Sequence, residues 1–256
     1  MKVVILAGGF GTRISEESHL KPKPMIEIGG KPILWHIMKE YSYHGYNEFI
    51  ICLGYKSEKV KDFFANYYLY QSDVTINIET GEIEYIRKDS ENWKVTLAET
   101  GLNTMTGGRI KRIKDYLNNE PFLLTYGDGV SDVDINEVVK YHQSTDNLLT
   151  MTVVNMASKF GVLKIDKTGA VKKFKEKSDK DGSIINAGYM VCQPEVLDFI
   201  DGDNTSFEKD PIEKISQLGK LGAYKHDGFW KCMDTLRDKE ELEQLWNSGE
   251  AKWKKW

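Results

Sequence analysis

The sequence predicts an open, doubly wound α/β fold built on a mainly parallel sheet. Three observations predict it. Apolar runs at residues 3–7, 49–55 and 122–129 are continuous rather than alternating, as strands buried on both faces must be. Helical patterns at residues 32–43 and 57–67 flank the second run. The first and last runs end in Gly8-Gly9-Phe10-Gly11 and Gly127-Asp128-Gly129, and the carboxyl ends of strands are where such sheets bind ligands.

The first strand feeds a turn with three glycines in four positions. Glycines bend the chain tightly and expose backbone N–H groups to an anion, and Arg13 adds a planar fork of donors suited to phosphate oxygens. A nucleoside triphosphate is the expected ligand. The turn is not a P-loop, because Gly11 is followed by Thr12-Arg13 and not by Lys-Ser/Thr. A dinucleotide fingerprint is also a poor fit, with Ile14 where a third small residue belongs and Lys31-Pro32 near the expected acid.

Lys21-Pro22-Lys23-Pro24-Met25 comes next, then Gly29-Gly30-Lys31-Pro32 leading into the helix. Prolines after the lysines hold the chain extended, so an ammonium can be aimed at a fixed point. Residues 63–70 are unusually aromatic. Residues 74–79 and 82–86 alternate around Thr80-Gly81 and predict a hairpin. An amphipathic helix is expected over about 108–117, and a second hairpin turns at Lys167-Thr168-Gly169. Leu242, Leu245 and Trp246 have helical spacing, followed by Trp253 and Trp256 among lysines. These aromatic segments are expected to pack against another subunit, making a homo-oligomer.

Composition bounds the function. With 256 residues the chain suits one domain (1–256), with an insertion at 56–97 and a C-terminal helix and tail at 236–256. A net charge of −4 argues against nucleic acid as the main partner. Cys52, Cys192 and Cys232 are too few and too scattered for a disulfide framework or a zinc cluster. No apolar run reaches membrane-spanning length and no signal-peptide pattern precedes the first strand, so no membrane contact and a cytoplasmic setting are expected.

The spacing Gly8-Gly9-Phe10-Gly11-Thr12-Arg13, Lys23-Pro24 and Lys31-Pro32 resembles the motif of the sugar-nucleotide pyrophosphorylases, which are nucleoside triphosphate:sugar-1-phosphate nucleotidyltransferases. The phrases at 21–36, 105–109, 125–129 and 233–238 resemble, within that family, the branch that uses CTP and glucose 1-phosphate. The resemblance spans nearly the whole chain and implies a Rossmann-like nucleotidyltransferase fold with the hairpin inserted and the C-terminal helix appended. It implies formation of CDP-glucose and pyrophosphate with Mg²⁺.

Joining two phosphates needs cations and alignment rather than a strong base, because the sugar phosphate is already an anionic nucleophile. On that reading Leu6, Ala7 and the backbone amides of Gly8 to Thr12 receive the nucleotide, with Phe10 and Gly127 beside it. Arg13 neutralises the departing pyrophosphate and Lys23 the α- or β-phosphate. Asp128 and Asp234 hold Mg²⁺, and Asp234 could also cap the helix ahead of Leu236. The resemblance places Thr104 and Arg109 on the nucleotide, Lys177 on the sugar phosphate, and Gly161, Glu176 and Asn186 by the sugar. Ser178 stands where the family has proline after Lys177, so the chain there lacks the φ restraint of a proline ring. Two alternatives stay open: a thymidylyl- or uridylyltransferase, and a catalytically silent nucleotide-binding subunit.

Overall fold

The computed structural model describes residues 1–14, 20–86, 90–156, 162–165, 171–175 and 183–256. Seven strands form the main sheet: β1 (Val3–Leu6), β2 (Glu48–Leu53), β3 (Lys94–Glu99), β4 (Phe122–Tyr126), β5 (Leu149–Met156), β6 (Ser183–Cys192) and β7 (Leu221–His226). Their order across the sheet is β7-β5-β6-β4-β1-β2-β3. β1 runs parallel to β2 and to β4, β2 parallel to β3, and β5 parallel to β7, while β6 runs antiparallel to both its neighbours. The sheet is therefore mixed but mostly parallel.

The apolar runs are continuous because successive residues enter different cores. Val3, Ile5, Phe49, Ile51 and Leu123 join one buried cluster, whereas Val4, Leu6, Ile50, Cys52, Phe122 and Leu124 join the other. Helices α1 (Ile33–Tyr43) and α4 (Ile135–Gln143) cover the first face, and α3 (Thr106–Arg112) and α5 (Asp210–Gln217) contribute to the second. Between them, α2 (Ser57–Ala65) follows β2 and ends where Asn66 bonds back to Asp62. It stops short of the expected 67, and a separate turn of helix covers Tyr67–Tyr70.

The first hairpin is present, with Val74–Ile76 antiparallel to Ile83–Tyr85. The expected insertion boundary at 97 falls inside β3, which extends the main sheet beside β2. The helix expected over 108–117 begins earlier, at Thr106, and breaks into α3 and a short turn at Lys114–Leu117. Strands Val162–Ile165 and Val171–Lys175 pair antiparallel, while the turn at 167–169 lies outside the described residues.

The C-terminal aromatic residues correct an expectation. Helix α6 (Leu236–Asn247) and the tail fold back over α1 in the same chain. Trp253 is fully buried, stacks on Phe229 and Trp246, and packs with Trp256 around His36. The Trp253 indole needs no second subunit, because the chain supplies its own apolar partner. Among the described residues, no helix is long and apolar enough to cross a membrane.

Candidate active site

The strand order reverses at β1, whose two neighbours run to opposite sides of the sheet. A crevice opens beyond the carboxyl ends of β1 and β4 at this point. Gly127 at the end of β4 donates its N–H to the Leu6 carbonyl at the end of β1 (3.0 Å), which sets the two loops side by side. The resulting cleft has a volume of about 540 Å³ and is lined by residues 6–13, Lys23, Thr104, Arg109, Tyr126, Gly127, Asp128, Glu208 and Asp234, among others. All the expected nucleotide and metal residues meet there.

The loop after β1 is shaped by its packing. Gly11 has φ +64°, and Ile14 closes a 3₁₀ turn by donating to the Gly11 carbonyl. A side chain on Gly9 would meet open space, whereas one on Gly8 would strike Arg109. Arg109 is buried, and its Nη1 and Nη2 donate to the carbonyls of Leu53 (2.9 Å), Gly101 (2.8 Å), Gly8 (3.0 Å) and Leu102 (3.3 Å) and to Thr100 Oγ1 (2.8 Å). One guanidinium thus ties the ends of β1, β2 and β3 to the loop that carries Thr104. It forms part of the cleft wall, with its forked donors engaged by four main-chain oxygens and the Thr100 hydroxyl.

Lys23 lies in a 3₁₀ turn behind Pro22 and is 9% exposed. Its Nζ donates to Asp128 Oδ2 (2.7 Å) and Asp234 Oδ1 (2.6 Å). Arg13, whose side chain is largely exposed, donates from Nη1 to Asp234 Oδ2 (2.7 Å). Burial works against the Lys23 charge, but the attraction of Asp128 and the hydrogen bonds to both carboxylates outweigh it and raise its pKa.

Backbone pairing brings the two acids together across 106 positions of sequence. Strand Gly129–Ser131 pairs antiparallel with Trp230–Cys232, and Met233 donates its N–H to the Asp128 carbonyl (2.8 Å). Asp234 does not cap α6. Thr235 does, in a reciprocal capping box with Asp238, which leaves the Asp234 carboxylate for the cleft.

Asp128, Cys232 and Asp234 each offer a ligand atom within 4.8 Å of the others. Burial first, then the Asp128 carboxylate, push the Cys232 thiol pKa well up. The two carboxylates are the hard donors of this set, and oxygen ligands fit a hard divalent cation that keeps several waters.

A second cavity of about 830 Å³ shares Arg13, Tyr126, Asp128, Glu208 and Asp234 with the first and is also lined by Asn186, Ala187, Trp230 and Lys231. Asn186 accepts the Gly188 N–H (2.9 Å), and Trp230 donates to the Ala187 carbonyl (2.8 Å). Gly161, Glu176, Lys177 and Ser178 lie outside the described residues.

Glu208 was not singled out from the sequence. It sits between the two cavities, accepting hydroxyls from Tyr126 (2.8 Å), Thr106 (2.6 Å) and Ser206 (2.9 Å). Nor was Glu40 on α1. Burial pushes its carboxyl well above the usual range, and it accepts the Tyr189 hydroxyl (2.9 Å) beneath the strand that follows Asp128. Neither position carries a local pattern, since both gain meaning only through partners far away in sequence.

Cations aligned on acids at a glycine turn define an α/β enzyme that handles phosphorylated nucleotides. The chain belongs to the nucleotidyl transferase family, whose model matches residues 2–240. It is 52% identical to the glucose-1-phosphate cytidylyltransferase of Salmonella typhimurium over 100% of both chains. To the probable glucose-1-phosphate cytidylyltransferase of Bacillus subtilis it is 46% identical, again over 100% of both. Its fold is similar to the crystal structure of HddC from Yersinia pseudotuberculosis complexed with GMP-PN, with TM-score 0.66 and 26% identity over 96% of this chain and 99% of that one.

Proposed function

We propose that the chain is a glucose-1-phosphate cytidylyltransferase, converting CTP and α-D-glucose 1-phosphate to CDP-glucose and pyrophosphate. One observation carries the reading: Arg13, Lys23, Asp128 and Asp234, scattered over 221 positions, converge in one ion-paired group at the switch point of the sheet. A silent nucleotide-binding protein would have little use for all four. Full-length similarity to the Salmonella enzyme supports CTP and glucose 1-phosphate as the substrates.

The difficulty of the reaction is electrostatic. Two like charges about 4 Å apart repel by roughly 4 kcal/mol at an intermediate effective dielectric. The N–H groups of residues 8–12 receive the β- and γ-phosphates. The Lys23 ammonium offsets charge at the α-phosphate, and Arg13 neutralises the pyrophosphate as it leaves. A phosphate oxygen of the sugar attacks the α-phosphorus in line, the bond to the bridging oxygen breaks, and pyrophosphate departs with that electron pair. Mg²⁺ held by Asp128 and Asp234 would supply further charge neutralisation on the phosphate oxygens. Asn186 faces the second cavity, which suits the sugar. Glu176, Lys177 and Gly161 complete that subsite by resemblance.

Thr104 and the Arg109-braced loop suit the base. The same reading includes self-association and a cytoplasmic setting. Ile78 and Ile86 on the hairpin are 88% and 66% exposed, which favours contact with another copy. Cys52, Cys192 and Cys232 are free thiols, as a reducing compartment favours.

The test offers each nucleoside triphosphate with glucose 1-phosphate and Mg²⁺ and follows pyrophosphate release. Turnover with CTP alone supports the reading. Turnover with dTTP or UTP instead would replace cytosine in it, and none with any nucleotide would refute it.

A further inference from the structure

The ammonium of Lys23 stands where the proposed metal would have to be. Its Nζ lies 2.7 Å from an oxygen of Asp128 and 2.6 Å from an oxygen of Asp234. Mg²⁺ binds carboxylate oxygens at about 2.1 Å, so an ion shared by these same two oxygens would fall almost on top of the ammonium. The two cations exclude each other.

We propose that Lys23 is an exchangeable counter-ion: it keeps Asp128 and Asp234 closed to a divalent cation until a triphosphate offers its ammonium another partner. Metal and nucleotide then enter together. The inference rests on the assignment of these two acids to the metal.

The surroundings of Lys23 make the exchange conditional. The residue is 9% exposed, so an ammonium evicted by metal alone would be left poorly solvated and unpaired. Its backbone is fixed between Pro22 and Pro24, and Pro24 packs so closely on Gly127 that an added Cβ there would stand 3.0 Å away. Only the four-carbon stem is free to swing. Across the same cleft lies the turn at residues 8–13, where the triphosphate is expected.

Arg13 provides the contrast. It also pairs with Asp234, but its side chain is 75% exposed and can leave for water at little cost. The buried lysine therefore couples the two ligands, and the coupling is reciprocal: a triphosphate strengthens metal binding and metal strengthens triphosphate binding.

The experiment measures Mn²⁺ binding by electron paramagnetic resonance, without nucleotide, to the wild-type protein, Lys23→Gln and the double variant Lys23→Gln/Asp234→Asn. Removing the competing ammonium should tighten Mn²⁺ binding about ten- to a hundredfold, the scale of losing charge-assisted hydrogen bonds. The double variant should lose that gain, which excludes a surface site. Equal or weaker binding by Lys23→Gln overturns the exchange while leaving the metal assignment intact. No Mn²⁺ bound by any of the three overturns both.

A wild-type crystal soaked in Mn²⁺ together with CTP gives a second readout that does not depend on the variant folding. Mn²⁺ between the acids with Nζ moved beyond about 4 Å from both supports the exchange. Mn²⁺ there with the ammonium still bridging both carboxylates overturns it.

Discussion

A Cβ on Gly8 would stand 2.2 Å from Nη1 of Arg109, so the guanidinium fills the space that this glycine leaves open. The glycine turn is thus fitted to an arginine 101 positions away as well as to an anion. Gly8→Ala should displace the guanidinium and cost about 1–3 kcal/mol, the range for overpacking a tight site. Arg109→Ala should cost about 3 kcal/mol or more, because it strands several buried carbonyls without donors. Urea unfolding measures both. A loss under about 0.5 kcal/mol in each would mean the loop is not held this way.

Lys23→Ala should lower kcat by about 10²–10³, the scale for removing one preorganised charge stabiliser. Steady-state pyrophosphate release checks it, and a wild-type rate would remove Lys23 from the chemistry. Asp128→Ala and Asp234→Ala should each weaken the dependence of rate on Mg²⁺. An unchanged Mg²⁺ titration in either variant would take that acid out of the metal site.

His36 makes stability depend on pH. The ring is fully buried, with Nε2 2.8 Å from the Ile28 carbonyl and Nδ1 accepting the Trp253 indole N–H (3.4 Å), an arrangement that suits neutral imidazole. Burial lowers its pKa from 6.5 to about 4. Between those values the unfolded chain binds more protons than the folded one, so stability falls as pH falls. The contribution is complete above pH 6.5 and lost on acidification toward pH 4, by up to about 3 kcal/mol. The stability advantage of the wild type over His36→Gln should therefore shrink across this window. A constant advantage from pH 7 to 4 would contradict the assignment.

Gly29 and Trp246 form a second close fit. Gly29 has φ +57°, and a Cβ there would meet the Trp246 Nε1 at 1.9 Å. Gly29→Ala should destabilise by about 1–3 kcal/mol, and Trp246→Ala by about 3 kcal/mol. The double variant should cost less than the sum, because the clash disappears with the indole. Strict additivity in thermal unfolding would show that the two do not press on each other.

The parts legible in the sequence were those with local causes. Residues 3–7 and 122–129 read as buried strands because both faces of the sheet are apolar, and Gly9, Gly11 and Asp128 could be placed at strand ends from that alone. Asp234 was legible only through its family phrase. What places it is the pairing of Trp230–Cys232 with Gly129–Ser131, which no local pattern announces. The structural work of Arg109 was hidden for the same reason, since its acceptors come from three separate stretches of chain. Trp253 packs inside its own chain rather than on a partner surface; composition cannot say which apolar face a tail folds onto.

The central claim is that Arg13 and Lys23 meet the phosphates of a nucleotide at the carboxyl ends of β1 and β4. A crystal structure with CTP and Mg²⁺ tests it most directly. The expected result places the triphosphate against residues 8–13, with the Lys23 and Arg13 nitrogens about 3 Å from its oxygens. A triphosphate bound elsewhere, with both side chains directed into solvent, would contradict it.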